Sequence, residues 1–358
     1  MAASKHVLAQ NRPPQLPALM NSPEGTIAPS SYPAVRGWLE AAGCVTCVGA
    51  LSLLYAIGNT LGAHPIAFIL YAVLVSAIAT LAVVGTGSQA LAIMLHPLSW
   101  AVGLGIILLE IFYYQTLAYV PPAHGTVMLR IGIPIAMAAG WVLLRRRTPP
   151  LAIVGAVAIV VATSFVIAVT SPDVRWPMAA AGSLAAVFMV VRGFAAEFHP
   201  WNRSAQTVRD KLRITGLVIL VTSMLSLVVA AIAATAVAAD VLPSTRFVPT
   251  AAQMLHAPTF LIGGLAGGAI FTLMMYLNFA SVVKITTENL TAMMAFSPAT
   301  AWLFQALGDA FGLIKAPTPR PPIIAAIVVC IVAVLLIFWA NVRARFVAGD
   351  PRRRSSHG

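Results

Sequence analysis

Apolar residues fall along this chain in blocks about 20 positions long, parted by short polar or proline-bearing breaks. A helix of that length, rising about 1.5 Å per residue, matches the roughly 30 Å hydrocarbon core of a bilayer. Ten spans are predicted, at about 37–58, 64–85, 97–119, 123–144, 150–170, 177–197, 213–238, 259–282, 286–308 and 322–343. The blocks are continuous, whereas a membrane barrel would alternate over about 10 residues. Backbone polar groups in lipid must be satisfied internally, which leaves helices. The predicted fold class is therefore an all-α polytopic membrane protein.

The pattern occurs twice. Tyr113-Tyr114-Gln115-Thr116-Leu117-Ala118 leads to a break at Val120-Pro121-Pro122-Ala123-His124 and an apolar run through Pro134. Tyr276-Leu277-Asn278-Phe279-Ala280 leads to a break at Lys284-Ile285-Thr286-Thr287-Glu288-Asn289 and a run through Pro298. Tyr114 and Tyr276 stand 162 positions apart, and Pro134 and Pro298 stand 164 apart. The chain thus divides near Ser171-Pro172-Asp173 into two five-helix repeats, 36–172 and 173–344. Five is odd, so the second copy is expected to enter the membrane inverted, as in several transporter folds. The matched prolines are expected to kink their spans. The polar stretch 1–35 reads as a disordered cytoplasmic tail and 345–358 as a basic one; the first span is expected to be retained, not cleaved as a signal peptide.

Composition sharpens this reading. The chain is 59% hydrophobic and 9% charged, with mean hydropathy +0.90. Its net charge of +12 is expected to mark topology and anionic lipid, not nucleic acid, because the cations flank apolar runs. With the N-terminus inside, Lys5, Arg12, Arg36, Arg145 to Arg147, Arg203, Arg209, Lys211, Arg213, Lys284, Arg343, Arg345 and Arg352 to Arg354 lie inside, with Arg192 near that face. Only Arg175, Arg246, Lys315 and Arg320 lie outside. Both termini are expected in the cytoplasm of a cell (inner) membrane protein. The three cysteines make no disulfide framework; Cys44 and Cys47 share a helix side and read as packing residues. Gly263 to Gly268 carries two overlapping G-x-x-x-G spacings, which suit close helix approach within the chain or in a homodimer.

These residues resemble the EamA-type branch of the drug/metabolite transporter superfamily. The resemblance rests on Thr116 to Ala123 followed by Pro134 and Gly155, and on Asn278 to Ser281 followed by Glu288 to Ala292, Ser297-Pro298 and Leu307-Gly308-Asp309. It covers about 37–343. It implies alternating-access transport of amino acids, other small metabolites, drugs or nucleotide-linked sugars, commonly by export or exchange. The family's Gly-Glu after the fourth span is replaced here by Leu144-Arg145-Arg146-Arg147.

Charges inside spans are the best pointers to a site, since each costs roughly 2.5–3.5 kcal/mol or more at mid-membrane. Glu110 and Arg130 fall at similar depth once the hairpin folds at Pro121-Pro122, so they are expected to pair or to share one polar cavity. Glu110, Tyr113, Tyr114 and Leu117 share a helix face by their spacing. Tyr276 and Asn278 are the repeat partners of Tyr114 and Thr116. His124, which titrates near neutral pH when free, aligns with Glu288, for which Lys284 stands at the pairing distance i,i+4. The candidate substrate-binding residues are Glu110, Tyr113, Tyr114, Arg130, His124, Tyr276 and Asn278. No metal or cofactor is expected. Gly85-Thr86-Gly87-Ser88-Gln89-Ala90 mimics a dinucleotide loop but lacks the βαβ context. The expectation is a non-enzymatic secondary transporter of a small polar or amphipathic metabolite. The alternatives are an integral-membrane transferase on a lipid-linked substrate, or a non-transporting membrane subunit.

Overall fold

The computed structural model describes residues 31–117, 119–245, 247–315 and 320–348; residues 1–30 and 349–358 of the two predicted tails, Ala118, Arg246 and 316–319 lie outside them, while 31–35 and 345–348, expected as tail, continue the first and last helices. Among the described residues the chain is all-α, with ten helices long and apolar enough to cross a bilayer. They are α1 (Ser31–Thr60), α2 (Pro65–Val84), α3 (Pro97–Leu117), α4 (Pro122–Met128, Leu129–Ile131, Gly132–Leu144), α5 (Pro150–Val169), α6 (Pro172–Phe198), α7 (Val208–Ala238), α8 (Thr259–Gly267, Gly268–Ile285), α9 (Thr287–Met293, Met294–Phe296, Ser297–Ala310) and α10 (Pro321–Ala348). Short helices at Ala90–Met94, Pro200–Ser204 and Ala251–Met254 join them.

Proline starts many of these helices. Pro65, Pro122, Pro150 and Pro172 occupy the first helical turn, where the missing N–H would lack a partner anyway. Gly85 closes α2 at φ 75°, its N–H returning to Leu81 O. Arg145 closes α4 in a left-handed conformation, φ 52°, and the N–H of Arg146 reaches Gly140 O at 3.1 Å.

Two spans share one interrupted build. In α4, 7 helical residues precede a 3-residue 3₁₀ turn and a 13-residue helix. In α9 the same segments have 7, 3 and 14 residues. Pro134 and Pro298 fall in the first turn after the 3₁₀ segment. Each break therefore takes the form of a tightened turn ahead of the proline. A proline cannot donate to the carbonyl four positions earlier, and those residues are Arg130 and Met294.

Packing pairs α3 with α6, α8 with α1, α5 with α10 and α7 with α2. α4 crosses α9 reciprocally: the first segment of each contacts the last segment of the other. The main buried cluster is built on α1, α3, α6 and α8, with Leu51, Ile106, Met189 and Phe271 among its members. Large apolar side chains such as Val157, Val161, Ile232, Leu335 and Trp339 face outward, the arrangement a lipid solvent favours.

The stripe Gly263 to Gly268 packs inside the chain. A Cβ on Gly263 would meet the Phe68 ring at 2.8 Å, and one on Gly268 would meet Val75 at 3.0 Å. Gly263, Gly264 and Gly267 are buried against α2. The close approach expected as a possible homodimer face is thus made to a neighbouring helix of the same chain.

Candidate functional site

Three buried charged residues, Glu110, Arg130 and Arg192, converge on one cavity of about 40 Å³ inside the bundle. Each wall follows from helical spacing. Cys44, Val48, Leu51, Ser52 and Tyr55 line it from one face of α1, at intervals of four, three, one and three. Glu110 and Tyr113 come from successive turns of α3, Met189 and Arg192 from successive turns of α6. The 3₁₀ turns supply Leu129 and Arg130 from α4 and Met294 from α9, and Met274 comes from α8. Both residues whose carbonyls lose the donor four positions on to a proline therefore reach this cavity.

Glu110 is 5% exposed and accepts a hydrogen bond from Tyr55 Oη at 2.7 Å. Tyr55 is held in an aromatic cage, edge-on to Phe68 at 5.3 Å and to Tyr114 at 6.0 Å. Ser52 Oγ and Tyr113 Oη lie 3.4 Å apart beside it. The cation whose field reaches Glu110 is Arg192. Arg192 is 5% exposed, sits against Gly105 and has no hydrogen-bond partner for Nε.

Arg130 is 1% exposed. Its Nε donates to Thr126 O at 2.9 Å, one turn back on the same helix, and its Nη1 has no partner. Of the two arrangements expected for Glu110 and Arg130, the shared cavity is found and the ion pair is not: among the described residues, every ion pair joins other side chains. Tyr55 holds the carboxylate that Arg130 was expected to hold.

The remaining candidates separate. Tyr113 lines the cavity; Tyr114, 8% exposed, stands behind it against Tyr55. Asn278 is buried beside Cys44, with Oδ1 accepting no bond. His124 lies instead in a recess of about 360 Å³ with Tyr119, Thr170, Gln305 and Arg320. Tyr276 lines a third recess, about 470 Å³, with Arg36, Arg203, Lys211 and Lys284. His124 and Tyr276 thus fall outside the central cavity. Sequence reasoning missed Tyr55, Ser52 and the three methionines; only the common face of Cys44, Ser52 and Tyr55 signalled them.

The end of the bundle carrying Lys284 is tied by ion pairs between distant helices. Arg146 bridges Glu197 of α6 and Glu288 of α9, 2.6 Å from Glu288 Oε2. Glu197 also caps α9, accepting from Thr287 N at 2.9 Å and Thr287 Oγ1 at 2.5 Å, where a carboxylate suits the positive helix end. Lys284 pairs with Glu40 of α1 at 2.5 Å, and Arg36 joins the same carboxylate at 3.1 Å. The expected Lys284–Glu288 pair is not formed. Thr286, at φ 73°, breaks the helix between them, so i,i+4 no longer means one face.

No family model and no curated protein matches the chain. Among solved structures it is similar to one described only as a crystal structure of a protein, with 17% identity, 82% of this chain and 96% of that chain covered, and a TM-score of 0.49.

Proposed function

We propose that this chain is a secondary transporter, an exporter or exchanger, that moves a small polar or amphipathic metabolite by alternating access between two inverted five-helix halves. The observation that carries the reading is the buried charged cavity where both interrupted spans break. Charge at such depth is costly in a membrane protein and marks substrate or ion paths. Helices α1 and α3, from the first half, and α6 and α8, from the second, enclose it.

The packing supports two equivalent halves. Renumbering each helix by five turns the α3–α6 contact into α8–α1 and maps α5–α10, α7–α2 and α4–α9 onto themselves. The likeness of α4 and α9 agrees with this, and with the resemblance to EamA-type transporters. The Arg146–Glu197–Glu288 bridge would close one side of the path, which the basic residues assign to the cytoplasm together with both termini.

Flux into proteoliposomes, screened against metabolites that accumulate in cells lacking the protein, tests the reading. Glu110→Gln and Arg130→Gln are each expected to cut uptake at least about tenfold. Normal flux in both variants would refute the role of the cavity.

A further inference from the structure

We infer that the central cavity takes an organic monoanion, a carboxylate on an apolar or aromatic body, with Arg130 as the group that binds the carboxylate. The inference rests on the transport reading for its biological sense but not for its chemistry.

One carboxylate and two guanidiniums line the cavity, those of Glu110, Arg130 and Arg192. Glu110 already accepts from Tyr55 and lies in the field of Arg192. Arg130 is fully enclosed, with one bond to a backbone carbonyl of its own helix and no hydrogen-bond partner for Nη1. An uncompensated buried guanidinium is expensive, and buried donors without partners are rare enough to need a reason. A ligand carboxylate supplies it: guanidinium and carboxylate are planar and match in a two-point fork.

The same count selects among ligands. Two guanidiniums against one carboxylate leave a surplus of one positive charge, which a monoanion neutralises. An amine would add to the surplus, and a doubly charged phosphate ester would overshoot it. The apolar part of the wall includes Leu51, Leu109, Leu129, Met189, Met274 and Met294, which suits a branched aliphatic or aromatic body. The cavity as it stands has room for water only, so the flexible methionine thioethers must yield when a ligand enters.

Equilibrium binding to the purified full-length protein in lipid nanodiscs tests this. The probes are radiolabelled benzoate and isobutyrate, each competed by its neutral amide and by benzylamine. The carboxylates are expected to bind at least about tenfold tighter than the amides or the amine. Arg130→Gln is expected to lose at least that factor, and Arg130→Lys to recover part of it. Equal affinity for acid, amide and amine overturns the inference, as does carboxylate affinity unchanged in Arg130→Gln, or no carboxylate binding at all. If Arg130→Gln does not fold, the acid-to-amide ratio of the unaltered protein decides alone. Carboxylate binding without flux of any compound would sink the transport reading and leave the anchor standing; flux of amines without carboxylate binding would do the reverse.

Discussion

The hydroxyl of Tyr55 donates to the Glu110 carboxylate at 2.7 Å, joining α1 to α3 in the middle of the bundle. Both side chains are nearly sealed from solvent, so neither has water as a substitute partner. Tyr55→Phe keeps the ring contacts with Phe68 and Tyr114 and removes only the donor. Leaving a buried charged acceptor short of a partner costs about 1–3 kcal/mol. The variant is expected to lower the thermal midpoint of the detergent-purified protein. Pairing it with Glu110→Gln should cost less than the sum of the two single changes; additive costs would show that the two groups do not work together.

The glycine stripe gives a prediction about assembly. Gly263 faces Phe68 so closely that an added Cβ would meet both its ring, at 2.8 Å, and its Cα, at 3.0 Å. Backbone cannot swing aside as a side-chain tip can. Gly263→Ala is expected to destabilise the fold by about 1–3 kcal/mol. Light scattering on the protein–detergent complex is expected to find the same oligomeric state as in the unaltered protein. A change of oligomeric state without loss of stability would return these glycines to a contact between copies.

The spans were legible because bilayer thickness imposes one length on every segment. Two of the larger shifts have local causes. The start expected at 213 falls at Val208, since Arg209, Lys211 and Arg213 extend the helix beyond the apolar core that hydropathy detects. The start expected at 177 falls at Pro172, with Pro177 accommodated inside the helix. Glu110 and Arg130 were legible because a charge in an apolar run stands out by its cost. Tyr55 was not, because a tyrosine in such a run resembles packing until its partner, 55 positions on, is known. The pairing of Lys284 was misread because a single left-handed residue, Thr286, has no signal in hydrophobic periodicity.

Acid sensitivity should arise at the α6–α7 connection. His199 is fully buried between α6 and the short helix Pro200–Ser204. Ser99 Oγ donates its only proton to Ile93 O at 2.5 Å, so His199 Nε2–H must donate to Ser99 Oγ across their 2.9 Å contact. Nδ1 is then the bare nitrogen, and it has no partner. Burial, with His96 nearby, lowers the His199 pKa from 6.5 to about 3. The unfolded chain therefore binds a proton below pH 6.5 that the folded chain refuses until about pH 3. Stability is full above the unfolded value and falls as pH drops through it, by about 1 kcal/mol for each unit from this residue. Midpoints measured from pH 7.5 to 5 should decline, and His199→Asn should flatten the decline. A slope unchanged by the substitution would assign the effect to other groups.

On the alternating-access reading proposed above, Arg146 is the place to shift the balance between closed and open forms. Its guanidinium joins the α4–α5 connection to Glu197 and Glu288, and Glu288 reaches it only because Gly140 has no side chain: a Cβ there would lie 2.1 Å from Glu288 Oε1. Removing the cation leaves two carboxylates facing each other at the start of α9, so the substitution adds repulsion as well as deleting attraction. A partly exposed bridge of this kind is worth about 1 kcal/mol, or a factor of about five in a two-state equilibrium. Cys44 reports the outcome, since it borders the central cavity and is enclosed in this structure. In a background with Cys47→Ala and Cys330→Ala, Arg146→Gln is expected to raise the rate at which a charged methanethiosulfonate labels Cys44 by about fivefold. Gly140→Ala, which displaces Glu288 while keeping Arg146, should raise it in the same direction. If neither substitution speeds labelling, the bridge holds helices in place without governing access to the cavity, and the closure that alternating access requires must be sought at another contact.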